Sequence, residues 1–503
     1  MQGATDLAST VKVAPAVPRE RAGSASGDWL AAAVLALVVL VTRGLWFGDP
    51  VADFDEQLYS FIGWRMTEGD LPYVDLWDRK PFGLFAIFSL AHWLFGPEAI
   101  AYQLVAAMWA FAGAVLVYAL SRPLVDRVSA TFAGVLYLAL ITVYGSHSGQ
   151  TEVFHTTLML AMLWLVRDWR RSDAVKRATI AMLLGGIALQ VKYTVLPQCA
   201  FFGAYALYGQ WRRGTKLPGL AALALLFAVL GVLPTVLVGV LYAYWGQFDA
   251  FWFANFVSFF DRIPGGRFNA GHLVALYPLV VPAAAGLYAA WRLNPPSDWS
   301  TYGLYAGWAV ATLGTVFLPG TVYLYYYGAL APCAVLLALP LMDRRTALGI
   351  IPAVLLVIGP GRVLDLPHRY LYSQDERRTE ARLSATIAPY VGAAEDCLFV
   401  FDGPTVLYRK TGSCLPTRFV YPDHLNNALE IGALGIDQPT EIARILAARP
   451  GVIVTASRAV TVQRRKNLAL IAEATQRDYR PLITASLQSR SLTAWVRRDL
   501  SGG

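Results

Sequence analysis

The sequence has 503 residues, of which 56% are hydrophobic and only 15% are charged. Soluble domains carry roughly 25% charged residues, which excludes an ordinary soluble protein. The formal net charge of +8 is modest and spread over loops, so a nucleic-acid partner is not indicated. Apolar runs, most of them about 17 to 25 residues and so long enough to cross a bilayer, recur up to residue 363. The composition predicts a polytopic α-helical membrane protein.

The chain begins with residues 1–27, which mix Ala, Ser, Pro and Gly and show no apolar period. We predict a disordered cytoplasmic tail here, followed by a transmembrane domain over residues 28–363. The first predicted span covers residues 29–47. The bases that precede it place its start in the cytoplasm: Lys12, Arg19 and Arg21.

A charged stretch follows the first span and differs from the apolar sequence around it. Its acids and bases stand among aromatic residues: Asp53, Asp55, Glu56, Arg65, Glu68, Asp70, Asp75, Asp78, Arg79 and Lys80. Charge placed against a bilayer is costly and usually marks a site or a pathway. The structural alternative is a solvated loop between two spans. We favour a site, because a simple connection would not need so many aromatic residues between its charges.

The next apolar run, residues 82–95, is predicted to lie along the outer membrane surface. At fourteen residues it is short for a span. If it crossed the bilayer, the bases between residues 122 and 177 would lie outside. As a juxtamembrane helix it leaves all of them inside, which agrees with the positive-inside rule.

Ten further spans are predicted, at residues 101–120, 130–145, 153–166, 178–191, 195–211, 220–245, 273–291, 302–318, 325–341 and 347–363. The total of eleven is odd, so the C-terminal part is predicted to lie outside. The two long outer loops are 49–100 and 246–271. The second loop is rich in aromatic residues and contains a Gly-Gly pair.

From residue 364 to residue 503 the composition becomes that of a soluble domain. The runs L-F-V-F-D-G, V-I-V-T-A-S and S-L-T-A-W-V-R-R predict strands, and helix-like stretches lie between them. We therefore predict a small extracytoplasmic α/β domain. Between Cys397 and Cys414 the sequence predicts a turn, a short helix and a Gly stop. We predict a disulfide here over the alternative of two free thiols.

The outer loops bring candidate site residues to one side of the membrane: Asp53, Asp55, Glu56, Arg65, Asp78, Arg79, Lys80, His147, Glu152, Lys192, Tyr193, Asp261, Arg262, Arg267, Tyr323 and Tyr325–Tyr327. Acids paired with bases suit a reaction in which a base deprotonates a hydroxyl while cations hold a phosphate leaving group. Taken singly, each residue has a structural explanation. Asp53 fits a helix N-cap, Tyr323 an interfacial aromatic belt, and Lys192 a snorkelling lysine.

Three motifs resemble those of the dolichyl-phosphate-mannose protein mannosyltransferase family: D-E-Q-L-Y after the first span, D-R-K-P before the surface helix, and the acid in T-E-V-F. The chain is also similar to the bacterial aminoarabinose transferases that modify lipid A. Both groups have the glycosyltransferase-C fold. The resemblance covers the order and spacing of elements over about residues 29–345.

The resemblance implies roles for single residues. Asp55 matches the family's catalytic aspartate, and Glu56 matches its acidic neighbour. Lys80 matches the lysine of a D-K-P motif that faces the donor phosphate. Further matches are Glu152 in the loop after the third span, Lys192 at the fifth hairpin, and Tyr326 at the start of the helix that ends near Pro332.

The chain departs from the family pattern at two places. Arg79 stands where an acid often precedes the lysine, with Asp78 one residue earlier, and Tyr325 stands where a base is common. The predicted phosphate contacts come from Lys80, Lys192, Arg65 and Tyr326. Asp78, Arg79, Glu152 and Arg262 are further site candidates.

The resemblance implies an inverting glycosyltransferase, and the apolar spans place it in the cell inner membrane. It would move a sugar from a polyprenyl-phosphate donor to a hydroxyl or phosphate of a lipid, glycan or protein, as in the modification of lipopolysaccharide or other envelope glycans. Asp55 would be the base, and loop 246–271 would close over the site. No metal is required, because lysine and arginine can neutralise the phosphate. The acids could also bind a divalent ion, and this alternative is left open. The alternatives are a lipid or sugar transporter or flippase and a structural assembly subunit. The apolar centres of the spans argue against transport.

Overall fold

The computed structural model describes residues 25–265, 270–346 and 348–501. Most of the predicted N-terminal tail lies outside the described residues, as do Arg267 and the second glycine of the Gly-Gly pair. The chain up to residue 387 is mainly helical. Its α-helices are α1 (Ala25–Arg43), α2 (Phe54–Thr67), α3 (Phe82–Phe95), α4 (Ala99–Ser121), α5 (Arg127–Val143), α6 (Thr151–Val166), α7 (Ala174–Leu189), α8 (Leu196–Arg212), α9 (Leu217–Tyr244), α10 (Phe248–Trp252), α11 (Ser258–Asp261), α12 (Ala270–Tyr288), α13 (Trp299–Phe317), α14 (Ala331–Met342), α15 (Ile351–Leu364) and α16 (Leu366–Ile387).

The protein is a multi-pass membrane protein. In the described residues, six helical segments are long and apolar enough to cross a membrane: Gly27–Trp46, Ala99–Ser121, Leu217–Tyr244, Gly271–Leu293, Leu324–Met342 and Ile351–Tyr390. The other five predicted spans coincide with α5, α6, α7, α8 and α13, which are shorter or less apolar. Most residues of α6 are buried in the bundle, so its surroundings are protein. The count of eleven spans stays a prediction.

The charged stretch after α1 is folded against the bundle and is not an open loop. Asp53 caps the N-terminus of α2 and accepts hydrogen bonds from the backbone N–H groups of Asp55 and Glu56, as its N-cap explanation predicts. Helix α3 has the predicted bounds and packs closely on α2. A Cβ at Gly63 would lie 2.6 Å from the Cβ of Phe88, so only glycine permits this approach. The tight α2–α3 pair positions the start of α2.

The predicted outer loop 246–271 also contains regular structure. It forms α10, a π-helical segment (Phe253–Val257) and α11 before the chain reaches Gly265. Similarly, the last part of the bundle begins with a 3-10 helix (Leu324–Leu330) that leads into α14. The span predicted from residue 325 therefore starts with a tighter helical turn, which carries the tyrosine cluster.

The C-terminal part contains the predicted small α/β fold. Its strands are β1 (Leu398–Val400), β2 (Val452–Ala456), β3 (Tyr479–Leu487) and β4 (Arg490–Arg497), in the order β1-β2-β4-β3. Strand β1 is parallel to β2, and the other two pairs are antiparallel. The helices among them are α17 (Val406–Thr411), α18 (Pro422–Asn426), α19 (Gln438–Ala447) and α20 (Arg465–Asp478).

The predicted disulfide between Cys397 and Cys414 is confirmed, with Cα atoms 4.9 Å apart. The chain returns as expected, because α17 is short and is followed by Gly412, whose φ of 67° suits glycine. The domain boundary predicted at residue 364 falls at the end of α15. The long helix α16 follows it, so the sheet begins only at β1.

The sheet domain packs directly on the charged stretch. The backbone N–H of Trp77 donates to the carbonyl of Arg418 at 3.0 Å. The Trp77 side chain is buried against Phe419 and His424 of the C-terminal domain. This contact brings residues 418–430 close to α2, although more than 300 positions separate them in the sequence.

Candidate active site

A cavity of about 510 Å³ lies between the start of α2, residues 78–81, residues 192–194, the α11 region, the tyrosine cluster and the C-terminal domain. Ten residues are predicted to belong to the catalytic pair, the phosphate contacts or the further site candidates, and seven of them line the cavity: Asp55, Asp78, Arg79, Lys80, Lys192, Arg262 and Tyr326. The other three, Glu56, Arg65 and Glu152, do not line it.

The Asp55 carboxylate lies in the first turn of α2 and faces the cavity half-buried. Its Oδ1 accepts a hydrogen bond of 2.6 Å from the Tyr421 hydroxyl, and its Oδ2 accepts one of 3.3 Å from the Gln150 amide. The first turn of a helix favours negative charge, because backbone N–H groups point toward it. Asp55 is therefore held as an oriented carboxylate that can accept a proton from a substrate hydroxyl.

Glu56 follows Asp55 in sequence but has a different environment. Successive residues of an α-helix point about 100° apart, so the two side chains cannot share one face. The Glu56 carboxylate is buried, and it accepts hydrogen bonds from the Tyr102 hydroxyl at 3.1 Å and from the Gly149 N–H at 2.5 Å. Burial raises the pKa of Glu56 above its ordinary value. The structure thus separates the predicted catalytic pair, and Glu56 connects α2 to α4 and to the loop before α6.

Lys80 presents an ammonium group to the cavity. Its Nζ lies 5.7 Å from the centre of the Tyr59 ring. In the described part of the chain, no carboxylate lies within 4 Å of this nitrogen. Burial opposes the charge, but the nearby Tyr326 and Asp55 outweigh it and raise the pKa of Lys80. Lys80 is therefore a charged donor with room for an anionic ligand.

Lys192 and Glu152 form a buried ion pair, with Nζ 2.5 Å from Oε1. The ammonium of Lys192 also lies 3.9 Å from the centre of the Tyr326 ring. Lys192 and Tyr326 line the cavity, whereas Glu152 lies behind them at the start of α6. Glu152 orients Lys192 and offsets part of its charge, so Lys192 is a weaker attractor of anions than Lys80.

Arg79 and Arg262 share one carboxylate, Glu430 of the C-terminal domain. Arg79 donates to Glu430 through both terminal nitrogens. The Nε of Arg262 lies 2.9 Å from Glu430 Oε1, and its Nη2 donates to the Tyr323 hydroxyl at 2.8 Å. Burial opposes the charge of Arg262, but Glu430 outweighs it and raises the pKa of Arg262. Glu430 thus joins both outer loops to the sheet domain.

Arg65 is not brought into the cavity. It lies ten residues after Asp55 on the same helix, a distance of about 15 Å along the axis. Its guanidinium pairs with Asp70 at 2.6 Å, and the side chain is partly exposed. The structure therefore gives Arg65 a local ion pair and no contact with the cavity.

Sequence reasoning missed the cavity residues of the C-terminal domain: Tyr421, Asp423, His424, Glu430, Val460 and Thr461. Burial lowers the pKa of His424 to about 3, so this imidazole is neutral beside Asp78, 3.9 Å away. A signal exists in the run F-V-Y-P-D-H, where two aromatic residues stand close to an acid and a histidine, as aromatic and charged residues do in the outer loops. No three His, Cys, Asp or Glu side chains of the described residues form a group that could hold a metal ion.

Comparison with known proteins agrees with the resemblance seen in the motifs. The family model for dolichyl-phosphate-mannose-protein mannosyltransferase matches residues 79–238. The crystal structure of ArnT from Cupriavidus metallidurans bound to undecaprenyl phosphate is similar, with a TM-score of 0.66 and 17% identity over 95% of this chain and 100% of that chain. The apo structure of the same protein gives 0.62 and 16%, over 94% and 98%. No curated protein matches the chain significantly. The predicted glycosyltransferase-C fold is confirmed.

Proposed function

We propose that this protein transfers a sugar from a polyprenyl-phosphate donor to an acceptor hydroxyl at the outer face of the plasma membrane. The observation that carries the proposal is one cavity that two groups face: an oriented carboxylate, Asp55, and the ammonium of Lys80, which has no carboxylate partner among the described residues. One group suits an acceptor that loses a proton, and the other suits a phosphate that gains charge as it leaves.

The reaction is a displacement at the anomeric carbon of the sugar. Asp55 takes the proton of the acceptor hydroxyl, and the oxygen forms a new bond to that carbon. The bond from the carbon to the donor phosphate breaks, and its electron pair goes to the phosphate oxygen. Lys80, with Lys192 beside it, stabilises the resulting phosphate. Attack opposite to the leaving group inverts the configuration. Because an ionised phosphate has no proton to lose, the base favours a hydroxyl acceptor.

The cavity wall also suits a lipid-linked donor. Apolar residues line it near α11: Phe259, Phe260, Ile263, Pro264 and Pro319. Phe260 is 81% exposed, so an isoprenoid chain could cover it favourably. The similar ArnT structure was obtained with undecaprenyl phosphate, which supports a donor of this class. A transporter would need a polar path across the bilayer, whereas the polar groups of this cavity gather beside the sheet domain.

The orientation of the protein forms part of the proposal. The disulfide between Cys397 and Cys414 supports an extracytoplasmic C-terminal domain, because disulfides persist in oxidising compartments. The bases predicted to lie inside also support this orientation. The cavity, which this domain helps to form, would then open outside the cytoplasm.

The test is mass spectrometry of lipid-linked sugars and surface glycans in a deletion strain. We expect one polyprenyl-phosphate sugar to accumulate and one glycan modification to disappear, with both reversed by the parent gene and not by Asp55→Asn. Unchanged lipid-linked sugars and glycans would overturn the proposal.

A further inference from the structure

The strongest hydrogen bond to the proposed base comes from the C-terminal domain. Tyr421 donates to Asp55 Oδ1 at 2.6 Å across 366 positions of sequence. The Gln150 amide on Oδ2 is longer, at 3.3 Å, and is shared with Asp53 at 3.1 Å. The Tyr421 hydroxyl therefore makes the shorter of the two hydrogen bonds to Asp55, and this donor is not shared with Asp53.

The Tyr421 ring is held by both parts of the protein. It lies 5.2 Å from the ring of Phe54, which begins α2, and 5.3 Å from the ring of His424 in α18. His424 packs edge-on against Trp77 at 4.8 Å, which ties this group to the charged stretch. A phenol side chain has only two side-chain torsions, so such packing fixes its hydroxyl.

The Tyr421 hydroxyl can only donate to Asp55 at working pH. Burial, together with the Asp55 charge, raises the pKa of Tyr421 well above its ordinary value, so the phenol keeps its proton. A hydrogen bond to a carboxylate favours its charged form and fixes its orientation. The bond to Oδ1 still leaves lone pairs of Oδ2 for an acceptor hydroxyl.

We propose that Tyr421 is a positioning residue for Asp55, so that the base is complete only when the C-terminal domain is docked on α2. This inference rests on the proposed function. The sheet domain is then part of the catalytic apparatus, because it fixes the orientation in which the base can take a proton. Tyr421 itself neither gains nor loses a proton.

The test compares Tyr421→Phe with a matched change in the same domain, Tyr479→Phe. Phenylalanine keeps the ring contacts with Phe54 and His424 and removes only the hydroxyl. The Tyr479 hydroxyl donates to the Pro450 carbonyl, away from the cavity. Turnover is measured in detergent, with the lipid-linked sugar extracted from the deletion strain as donor and the glycan fraction of that strain as acceptor.

We expect Tyr421→Phe to lower kcat about 10-fold to 100-fold, the usual effect of losing a hydrogen bond to a charged group, with the KM for the donor unchanged. The acid limb of the pH profile should move to higher pH, because the carboxylate loses a group that favours its charged form. In the Asp55→Asn background the tyrosine substitution should have no further effect. Tyr479→Phe should behave as the parent.

The outcomes separate the two proposals. If Asp55→Asn is inactive and Tyr421→Phe has the kcat and pH profile of Tyr479→Phe, the positioning role is overturned and the proposed function stands. An additive loss in the double variant also overturns it. If the parent does not consume the donor, or if Asp55→Asn turns over normally, the proposed function fails and the inference fails with it. The folding of each variant is checked separately. Undecaprenyl phosphate should shift the melting temperature of a folded variant by as much as it shifts that of the parent.

Discussion

At the scale of single residues, the charged groups of the cavity differ in their hydrogen-bond and ion-pair partners. Asp55 receives neutral hydrogen-bond donors, Lys192 pairs with Glu152, and Lys80 has no carboxylate within ion-pair distance among the described residues. A charge that is already paired contributes less to a new ligand than one that is not. Asp55 and Lys80 are therefore the residues whose removal should have distinct kinetic effects.

The first prediction concerns Asp55→Asn, which keeps the shape of the side chain and removes its ability to take a proton. We expect transfer to fall about 100-fold or more, the usual effect of losing a general base. The control is Asp75→Asn, because Asp75 is exposed and does not line the cavity. Near-normal turnover by a folded Asp55→Asn protein would contradict the assignment.

The second prediction concerns Lys80→Ala. The ammonium should bond to the donor phosphate, so its loss should reduce kcat/KM for the donor about 10-fold or more. The dependence on acceptor concentration should change much less, because the acceptor does not contact this charge. Kinetics that vary each substrate separately measure the difference. Lys410→Ala is the control, since Lys410 pairs with Glu98 away from the cavity. An equal effect on both substrates would argue against the role.

At the scale of elements, the site is built where the α2–α3 pair, the α10–α11 segment and the sheet domain meet. The α2–α3 pair and the α10–α11 segment belong to the outer loops predicted from the sequence. Arg79 and Arg262 bond these loops to Glu430 of the sheet domain. Ser258 and the backbone N–H of Ile263 also donate to carbonyls of the sheet domain, so Glu430 is one of several contacts that hold the α10–α11 segment. Such contacts can form and break as a loop closes and opens. The segment from α10 to Gly265 is therefore a candidate cover for the cavity.

The third prediction tests this cover with Glu430→Gln, which removes the charge shared by Arg79 and Arg262. We expect faster hydrogen exchange in residues 253–265, together with more hydrolysis of the donor by water relative to transfer. Exchange is measured by mass spectrometry, and hydrolysis by the free sugar released. Glu441→Gln is the control, because Glu441 pairs with Arg444 on the surface of the same domain. Unchanged exchange in the segment would show that Glu430 does not hold it.

The fourth prediction concerns pH and Asp423, which lies in the first turn of α18. Burial raises the pKa of Asp423 to about 7, and Asp55 and Glu430 add to the effect. Between the unfolded pKa of about 3.9 and this value, the folded protein keeps a proton that the unfolded chain has lost, so stability falls as pH rises. We expect Asp423→Asn to remove about 2 kcal/mol of this pH dependence, roughly half of the full linkage because the side chain is partly exposed.

Melting temperatures of the two proteins between pH 4 and pH 8 measure the Asp423 effect. The parent should lose more stability than Asp423→Asn across this range. Asp375→Asn is the matched control, because Asp375 is exposed on α16. Parallel melting curves for parent and Asp423→Asn would contradict the raised pKa.

At the scale of the whole molecule, the disulfide between Cys397 and Cys414 indicates the compartment of the C-terminal domain, because disulfides persist where conditions are oxidising. The fifth prediction is that alkylation without reductant leaves Cys397 and Cys414 unlabelled in denatured protein, whereas Cys199 and Cys333 react. Replacing both bonded cysteines with Ser should cost roughly 3 kcal/mol in the chain-entropy model, seen as a lower melting temperature. Labelling of all four thiols without reductant would oppose the bond and the placement of the domain outside the cytoplasm.

Features that depend only on neighbouring residues could be predicted from the amino-acid sequence. The apolar run at 82–95 gave the bounds of α3, the apolar runs of the C-terminal part gave strands, and the spacing of Cys397 and Cys414 with a Gly stop gave the disulfide. Helix and strand periods, caps and short returns are local, so their pattern is readable before the fold is known.

Which residues face the cavity became clear from the three-dimensional structure. It separated Asp55 from Glu56, although they are adjacent, because successive side chains of a helix point about 100° apart and so meet different neighbours. It brought Tyr421 and Glu430 to residues more than 350 positions earlier in the chain. Such contacts arise from the docking of one domain on another, and neither local periodicity nor the spacing of a motif carries information about them.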